Sequence, residues 1–315
     1  MKTSVKTAQG KPIAQSISVL ERADDRYPAW LRAIPDPPAV LYCDGLPEPQ
    51  DRQAVAIVGS RRATPYGLRV TETLARELSG VGFTIVSGLA RGIDAAAHRA
   101  ALEAGGRTIA VLGCGLDIAY PSEHARLQEE IAGCGAVLTE FSPGTPPRAA
   151  NFPQRNRIIS GLALGVLVVE ATEDSGSLIT ARLALEQGRE VFAVPGPIDA
   201  SMSRGPHGLL KQGAKLVETV DDIIEELLPQ MEAPLTLPSP RKRGEGKGEG
   251  KSSALPNLSS EERLVFDQMS REPLHLDDLT ELSGLTSAGA AGILLGLELK
   301  GAVRRLPGQR YCLKK

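Results

Sequence analysis

The chain shows a series of short apolar runs separated by longer amphipathic stretches. Between Gln53 and Leu228 these runs are four or five residues long and rich in Val, Ile, Leu and Ala. Buried strands that alternate with helices form a parallel sheet covered on both faces. The pattern predicts strands over Ala54–Val58, Thr84–Ser87, Thr108–Leu112, Ala136–Thr139, Val166–Val169 and Val191–Val194, and helices over Gly67–Ser79, Asp94–Ala104, Ser122–Ala132 and Leu178–Gln187.

Three stretches outside residues 54–228 differ from this pattern. Residues 1–53 are rich in proline and predict an extended lead-in with one short helix around Trp30–Ile34. Residues 229–257 lack apolar periodicity, which is typical of a flexible linker. Residues 258–315 predict a small winged-helix domain, since three helices precede two strands. The predicted elements are helices Ser260–Ser270, Leu276–Ser283 and Ser287–Lys300 and strands Ala302–Leu306 and Arg310–Leu313.

Composition and charge narrow the possible functions. A net charge of −2 gives no general attraction to nucleic acid, so any DNA-binding function depends on local basic residues. Residues 54–218 hold 16 basic side chains, of which 14 are arginines suited to phosphate; GC-rich coding would give the same bias. The four cysteines form no C-x-x-C pair and no cluster with histidine, so we expect neither a zinc or other metal site nor a disulfide framework. Without a membrane-length apolar run or a secretory signal, we expect a cytoplasmic protein that does not contact membranes.

Two glycine-containing turns follow the first two predicted strands of the sheet. Gly59, Ser60 and Arg61 follow the first strand, and Gly88 follows the second. Ligands of open α/β sheets bind at the carboxyl ends of the strands, where glycine lets backbone N–H groups approach an anion. The spacing differs from the G-x-G-x-x-G of dinucleotide sites, and such glycines also relieve tight backbone geometry. Together the turns predict an anion-binding edge.

Two later segments add aromatic and polar side chains to this edge. Phe152 stands beside two arginines in a segment predicted as a loop, and a serine- and glycine-containing turn follows the strand Val166–Val169. An aromatic platform with arginines is what single-stranded nucleic acid requires, because bases stack and phosphates need neutralisation. The alternative is that Phe152 is a core anchor and Arg157 a structural ion pair. The candidate residues in these segments are Phe152, Arg155, Asn156, Arg157, Ser175, Gly176 and Ser177.

These motifs, taken in order, resemble the DNA-processing protein A (DprA/Smf) family. The resemblance covers about residues 24–228 and implies an extended Rossmann-like domain followed by a winged-helix domain. It also implies a non-catalytic bacterial protein of natural transformation, without cofactor, that binds single-stranded DNA as a homodimer and helps to load the RecA recombinase. Mapped by motif, the family's DNA pocket falls on Gly59–Arg61, Phe152, Arg155, Asn156 and Ser175–Ser177. The motifs are Gly59–Arg61, Ser87–Asp94, Phe152–Gly161, Ser175–Ala181, Pro195–Gly196 and Gly205–Ala214.

The chain departs from the family pattern near the pocket. Many members carry a lysine three residues before the phenylalanine, where this chain has Ala149 beside Arg148. The position before Ser175 is commonly basic, and here it is Asp174 preceded by Glu173. Acidic side chains near a phosphate path weaken binding or move the path. The outline of the pocket therefore stays open at this point.

Two other classes of function compete with this one. A nucleotide-binding or nucleotide-hydrolysing enzyme on a related fold would use acid and base groups near strand ends, and Asp94 and His98 share a helix face. A duplex-DNA regulator would act through the winged helix, but Ser287–Lys300 has no Arg, Asn or Gln to recognise bases. Arg304, Arg305 and Arg310 suit phosphate or protein contacts instead. The acid and base candidates are Asp94, His98, Glu140 and Glu170.

A final segment has two possible uses. Residues 209–228 are rich in large apolar side chains, and six of these are candidates for a contact. These side chains would form the contact between two copies of the chain, or they would cover the last strand within one copy. The residues are Leu209, Leu210, Leu216, Val217, Ile223 and Ile224.

Overall fold

The computed structural model describes residues 17–232 and, nearer the C-terminus, residues 263, 265–266, 274–275, 278–280, 293–294, 297, 303–306 and 310–313. Contacts between Cα atoms divide the chain into two compact units, Met1–Pro240 and Arg241–Lys315. The first four residues of the predicted linker, residues 229–232, are helical instead, and residues 233–257 lie outside the described residues.

The first unit alternates strands and helices. Its strands are β1 (Ser18–Glu21), β2 (Val40–Gly45), β3 (Ala54–Val58), β4 (Thr84–Ser87), β5 (Thr108–Val111), β6 (Ala136–Thr139), β7 (Gly165–Val168), β8 (Glu190–Ala193) and β9 (Lys215–Leu216). Its helices are α1 (Ala29–Arg32), α2 (Pro65–Gly80), α3 (Ile93–Glu103), α4 (Ala125–Cys134), α5 (Asn151–Leu162), α6 (Gly176–Glu186), α7 (Arg204–Lys211) and α8 (Val220–Glu232).

The nine strands form one sheet in the order β1-β2-β6-β5-β4-β3-β7-β8-β9. Strands β3 to β9 pair in parallel, whereas β1–β2 and β2–β6 pair antiparallel. The predicted extended Rossmann-like parallel sheet is therefore confirmed. The chain runs outward from β3 to β6 and then returns to place β7 on the other side of β3. This reversal makes the carboxyl ends of β3 and β7 a topological switch point, where ligands of such sheets bind.

Helices cover both faces of the sheet with apolar side chains. Ile158 and Leu162 of α5 and Ala181 of α6 pack on one face. Leu74 of α2 and Ile223 of α8 belong to the cluster on the other face. The segment of residues 209–228 is mainly used within the chain, since Leu209, Val217 and Ile223 are buried, while Leu216 remains 42% exposed.

The first 53 residues differ from the predicted extended lead-in. A short helix occurs close to the expected place, but β1 and β2 add two antiparallel strands to the sheet. Only Leu20 of β1 is buried, and β2 alternates between buried and half-buried positions. Strands that are only half-buried have no continuous apolar run, so the apolar pattern did not reveal these two strands.

The second unit contains a three-stranded sheet of β10 (Leu274–His275), β11 (Val303–Leu306) and β12 (Arg310–Leu313), in the order β10-β12-β11. The antiparallel pair β11–β12 confirms the two predicted strands. Val265, Leu279 and Leu294 are helical and share a buried cluster with Val303 and Tyr311. Much of the three predicted helices lies outside the described residues.

Candidate functional site

An open cleft of about 880 Å³ lies at the carboxyl ends of the strands, next to the switch point between β3 and β7. Three segments that are far apart in the sequence meet around it: the turn after β3, the start of α5 and the start of α6. The sequence-predicted residues that line the cleft are Gly59, Ser60, Arg61, Phe152, Arg155, Asn156, Ser175, Gly176 and Ser177.

The turn after β3, residues 59–64, presents Arg61 and Arg62 to solvent. The Ser60 hydroxyl accepts a hydrogen bond from the Arg62 N–H at 3.0 Å, and the Ser60 carbonyl accepts one from Ile93 N–H at 3.2 Å. Gly92 has φ of +73°, and a Cβ there would overlap the Ser60 carbonyl oxygen. This residue must be glycine for the α3 start to approach the turn so closely.

Two aromatic rings and a guanidinium form the mouth of the cleft. Arg61 Cζ lies 5.3 Å from the centroid of the Phe152 ring, within cation–π range. The Tyr120 ring lies 5.4 Å from the Phe152 ring and is tilted by 34°. Tyr120 is 41% exposed and lines the cleft, and it was not among the residues predicted from the sequence. Its position on the loop after β5 was the available signal, since only 11 aromatic residues occur in the chain.

Phe152 lies on a helix and not on the predicted loop. Helix α5 begins at Asn151, so residues 152–157 form its first two turns. Pro153 suggested a loop, yet proline is tolerated in the first turn because the N–H groups there have no intrahelical partner. Asn151 Nδ2 donates to the Gly113 carbonyl at 3.0 Å, which fixes the helix start against the loop after β5.

Arg155 is a buried part of the cleft floor. It is 4% exposed, and its Nη1 donates to the carbonyl oxygens of Gly88, at 2.8 Å, and of Val111. Burial lowers the pKa of Arg155 to about 10. Its guanidinium therefore links the ends of β4 and β5 to α5. Gly88 lines an adjoining cavity of about 420 Å³, together with Phe152 and Tyr120.

Arg157 is directed away from the cleft. Its two Nη atoms donate to both carboxylate oxygens of Glu140 at 2.6 and 2.7 Å, and its Nε donates to Asp36 at 3.1 Å. Arg157 is absent from the residues that line the cleft. This geometry favours the structural ion pair over the DNA contact, because the guanidinium already has two carboxylate partners.

The start of α6 completes the cleft. Ser175 caps the helix by accepting from the Ser177 N–H at 3.4 Å, and the hydroxyls of Ser175 and Ser177 lie 2.7 Å apart. Asn156 Nδ2 donates to the Gly176 carbonyl at 3.3 Å and so connects α5 to this turn. The positive end of the α6 dipole points at the cleft, where it favours an anion. Asp174 is exposed and, unlike Ala149, does not line the cleft.

The acid and base candidates all have structural partners or are buried. Glu140 pairs with Arg157, and Glu170 accepts two hydrogen bonds from Thr64. His98 is fully buried with Nδ1 at 2.6 Å from the Thr108 hydroxyl, and burial lowers its pKa to about 3. Asp94 is 6% exposed at the cleft floor, and burial raises its pKa. Among the described residues, no three His, Cys, Asp or Glu side chains are grouped to hold a metal.

Residues 18–228 match the family model of DNA recombination-mediator protein A, and residues 249–309 match the DprA winged helix domain. The chain belongs to the DNA processing protein A (DprA/Smf) family. It is 44% identical over 290 residues to Protein Smf of Escherichia coli strain K12, which covers 92% of this chain and 75% of that protein. The family resemblance and the winged-helix assignment are thus confirmed.

Two solved DprA structures are similar to this one. The Streptococcus pneumoniae protein has a TM-score of 0.64 and 46% identity, and the match covers 67% of this chain and 75% of that chain. The Helicobacter pylori protein has a TM-score of 0.60 and 36% identity, and the match covers 69% of this chain and 98% of that chain. That structure is described by its single-stranded DNA binding mode. Within the described part of this DprA chain, no helix is both long and apolar enough to cross a bilayer.

Proposed function

We propose that this DprA chain binds single-stranded DNA in the cleft between the turn after β3 and the start of α6. The observation that carries this proposal is the exposed Arg61 guanidinium beside the Phe152 ring at the cleft mouth. A strand needs a cation for each phosphate and a flat surface for each stacked base. Arg61 and Arg62 provide the cations, and Phe152 and Tyr120 provide the surface.

The pairing of the arginines supports the same assignment. Among the described residues, neither Arg61 nor Arg62 takes part in an ion pair, whereas Arg91, Arg107 and Arg157 each have a carboxylate partner. An unpaired guanidinium meets a phosphate without first breaking an existing ion pair. We therefore assign the phosphate contacts to Arg61 and Arg62, with Arg155 in the cleft floor, Gly88 in the adjoining cavity and Arg157 outside the path.

A role in transformation and recombination follows from the family. The Helicobacter pylori relative is described by its single-stranded DNA binding, and this chain shares 36% of its residues over nearly all of that structure. We propose that the protein receives single-stranded DNA, holds it without chemical change and passes it to the RecA recombinase. Catalysis is not part of this proposal, because Glu140, Glu170 and His98 are all committed to protein partners.

A homodimer would place two clefts on one strand. Two linked sites raise avidity by about 10²–10⁴-fold when the strand spans both. Leu216 of β9 and Leu228 of α8 are 42% and 44% exposed. These exposed apolar side chains support a contact between two copies of the chain through β9 and α8. Sedimentation should give twice the monomer mass, and long oligonucleotides should bind far more tightly than short ones. A monomer with length-independent affinity would contradict the dimer.

The winged-helix domain is proposed as a second contact to phosphates or protein. Arg304, Arg305 and Arg310 lie on the strands β11 and β12. This placement suits duplex DNA backbone or a protein surface, since base recognition needs side chains in a groove.

The test of the proposed function is a gel-shift competition between single-stranded and duplex DNA, with a parallel assay for nucleotide hydrolysis. We expect single-stranded DNA to compete strongly, duplex DNA weakly, and no nucleotide to be turned over. Preferential duplex binding would favour the regulator, and steady hydrolysis would favour the nucleotide-hydrolysing enzyme.

A further inference from the structure

Glu170 is a buried carboxylate just behind the cleft. It follows β7 and is 5% exposed. Its two oxygens accept hydrogen bonds from the backbone N–H of Thr64, at 2.8 Å, and from the Thr64 hydroxyl, at 2.5 Å. No described Lys, Arg or His lies within ion-pair distance of it. Both oxygens of this carboxylate therefore accept from one residue of the neighbouring turn.

Thr64 connects Glu170 to the start of α2. It is the N-cap of that helix, and its hydroxyl accepts from the Gly67 N–H at 3.2 Å. A Cβ at Gly67 would overlap the Glu170 carboxylate, so this glycine makes room for it. The end of β7 and the start of α2 are thus joined through two side chains that do not line the cleft.

The turn that carries the two unpaired arginines is held at both ends. At its beginning, the Ser60 carbonyl accepts from Ile93 N–H, and Gly92 packs against it. At its end, Thr64 is held by Glu170. Arg61 and Arg62 lie between these two anchors, and their side chains are exposed. Groups that recognise a ligand bind best when the backbone beneath them is fixed before binding.

We propose that Glu170 is a positioning residue for single-stranded DNA binding, which acts through Thr64 to hold Arg61 and Arg62 toward the phosphate path. This inference rests on the proposed function. For removal of the Glu170 charge, the positioning role predicts a change in DNA affinity opposite to the change that electrostatic repulsion alone predicts. A carboxylate near a phosphate path repels DNA, so charge alone predicts that its removal strengthens binding. The positioning role predicts that its removal weakens binding.

The experiment measures single-stranded DNA affinity and its salt dependence for the full-length wild type, Glu170→Gln and Glu173→Gln. Glu173 is an exposed carboxylate three residues further along, so its variant is matched in charge and in chemistry. We expect Glu170→Gln to weaken binding about tenfold and to lower the log–log salt slope by about 0.7 for each arginine that leaves its phosphate. Glu173→Gln should change affinity by less than about twofold with an unchanged slope.

Variants of Thr64 test whether Glu170 acts on DNA binding through Thr64. They also provide a test if Glu170→Gln fails to fold. Thr64→Val removes the hydroxyl at constant shape and should weaken binding and lower the slope, whereas Thr64→Ser keeps the hydroxyl and should bind like the wild type. In the double variant Glu170→Gln/Thr64→Val the losses should not add, because both act on one contact.

Each other outcome overturns a defined statement. Tighter binding by Glu170→Gln, or an unchanged affinity, would refute the positioning role. Weaker binding with an unchanged salt slope would also refute it, because this result indicates only a smaller folded fraction. A wild-type protein that does not bind single-stranded DNA would refute the proposed function, a result that is visible before any variant is compared.

Discussion

At the residue scale, two arginines of the site differ in what surrounds them. Arg61 is exposed beside Phe152, and Arg155 is buried with its Nη1 on two backbone carbonyls. We predict that Arg61→Ala lowers the salt slope of single-stranded DNA binding by about 0.7 without loss of stability, because one phosphate contact is removed. Arg155→Ala should instead lower the free energy of unfolding by about 2–4 kcal/mol, because two buried acceptors lose their donor.

Salt titrations and urea unfolding of both variants check this prediction. Arg91→Ala is the control, since Arg91 is exposed but already paired with Glu123. It should affect neither quantity measurably. A fully stable Arg155→Ala with a reduced slope would return Arg155 to the phosphate path.

His98 provides a prediction about acid stability. Its Nδ1 faces the Thr108 hydroxyl, which itself donates to the Ile85 carbonyl, and its Nε2 is buried without a hydrogen-bond partner among the described residues. Burial lowers the pKa of His98 from 6.5 to about 3. Between these two pH values the unfolded chain therefore binds a proton at His98 that the folded chain does not bind. Stability from this residue is complete above pH 6.5 and is lost at about 1.4 kcal/mol per pH unit as the pH falls toward 3.

Urea unfolding of the wild type and of His98→Gln between pH 7 and pH 4.5 tests this sign. The variant should lose less stability on acidification than the wild type. His207→Gln is the control, because His207 is only half-buried. Parallel pH profiles for all three proteins would show that His98 does not control acid stability.

At the element scale, close packing of β4 against α5 and α3 depends on Gly88. A Cβ there would lie 2.7 Å from a guanidinium nitrogen of Arg155 and from a carboxylate oxygen of Asp94, both buried. We predict that Gly88→Ala lowers the free energy of unfolding by about 1–3 kcal/mol, because the two neighbours must move within a packed interior.

Gly176 offers a matched control for this change. It also belongs to the candidate site, yet no atom lies within 4 Å of an added Cβ. Gly176→Ala at the start of α6 should therefore change thermal stability little. Equal losses for the two variants would show that crowding at Gly88 is not the cause.

The strands of the parallel sheet were predictable, and the outer strands were not. Six apolar runs matched β3 to β8 to within one residue, because strands buried on both faces leave continuous apolar sequence. Strands β1, β2 and β9 bury few side chains, so their pattern resembles that of loops. The beginning of α5 was missed because Pro153 is compatible with both a loop and a first helical turn.

Nine of the eleven predicted residues line the candidate cleft, but the orientation of their side chains was not predictable. The position of a residue after a strand end predicts the edge of the sheet that it occupies. It does not predict whether a long side chain turns outward, as in Arg61, or inward, as in Arg155 and Arg157. That choice depends on carbonyls and carboxylates from distant segments, such as Val111 and Asp36. Tyr120 was missed for the same reason.

At the scale of the whole molecule, every residue that lines the cleft belongs to the first compact unit. We predict that a fragment ending at Glu232 keeps most of the affinity for a short single-stranded oligonucleotide, because its phosphate and base contacts are intact. Fluorescence anisotropy of the fragment and the full chain provides the comparison. A loss of more than about tenfold would assign a direct part of the binding energy to the second unit.

The place of β3 in the sheet affects how the protein is synthesised. Its two neighbours are β4, the next strand along the chain, and β7, which is made only after β5, β6 and α5. Until β7 leaves the ribosome, the nascent chain carries a fully apolar strand with one free hydrogen-bonding edge, a state prone to pair with other chains. The arginine turn emerges early, but neither Glu170 nor the α6 start exists yet. The candidate cleft is therefore completed late in synthesis, in the same step that covers this edge.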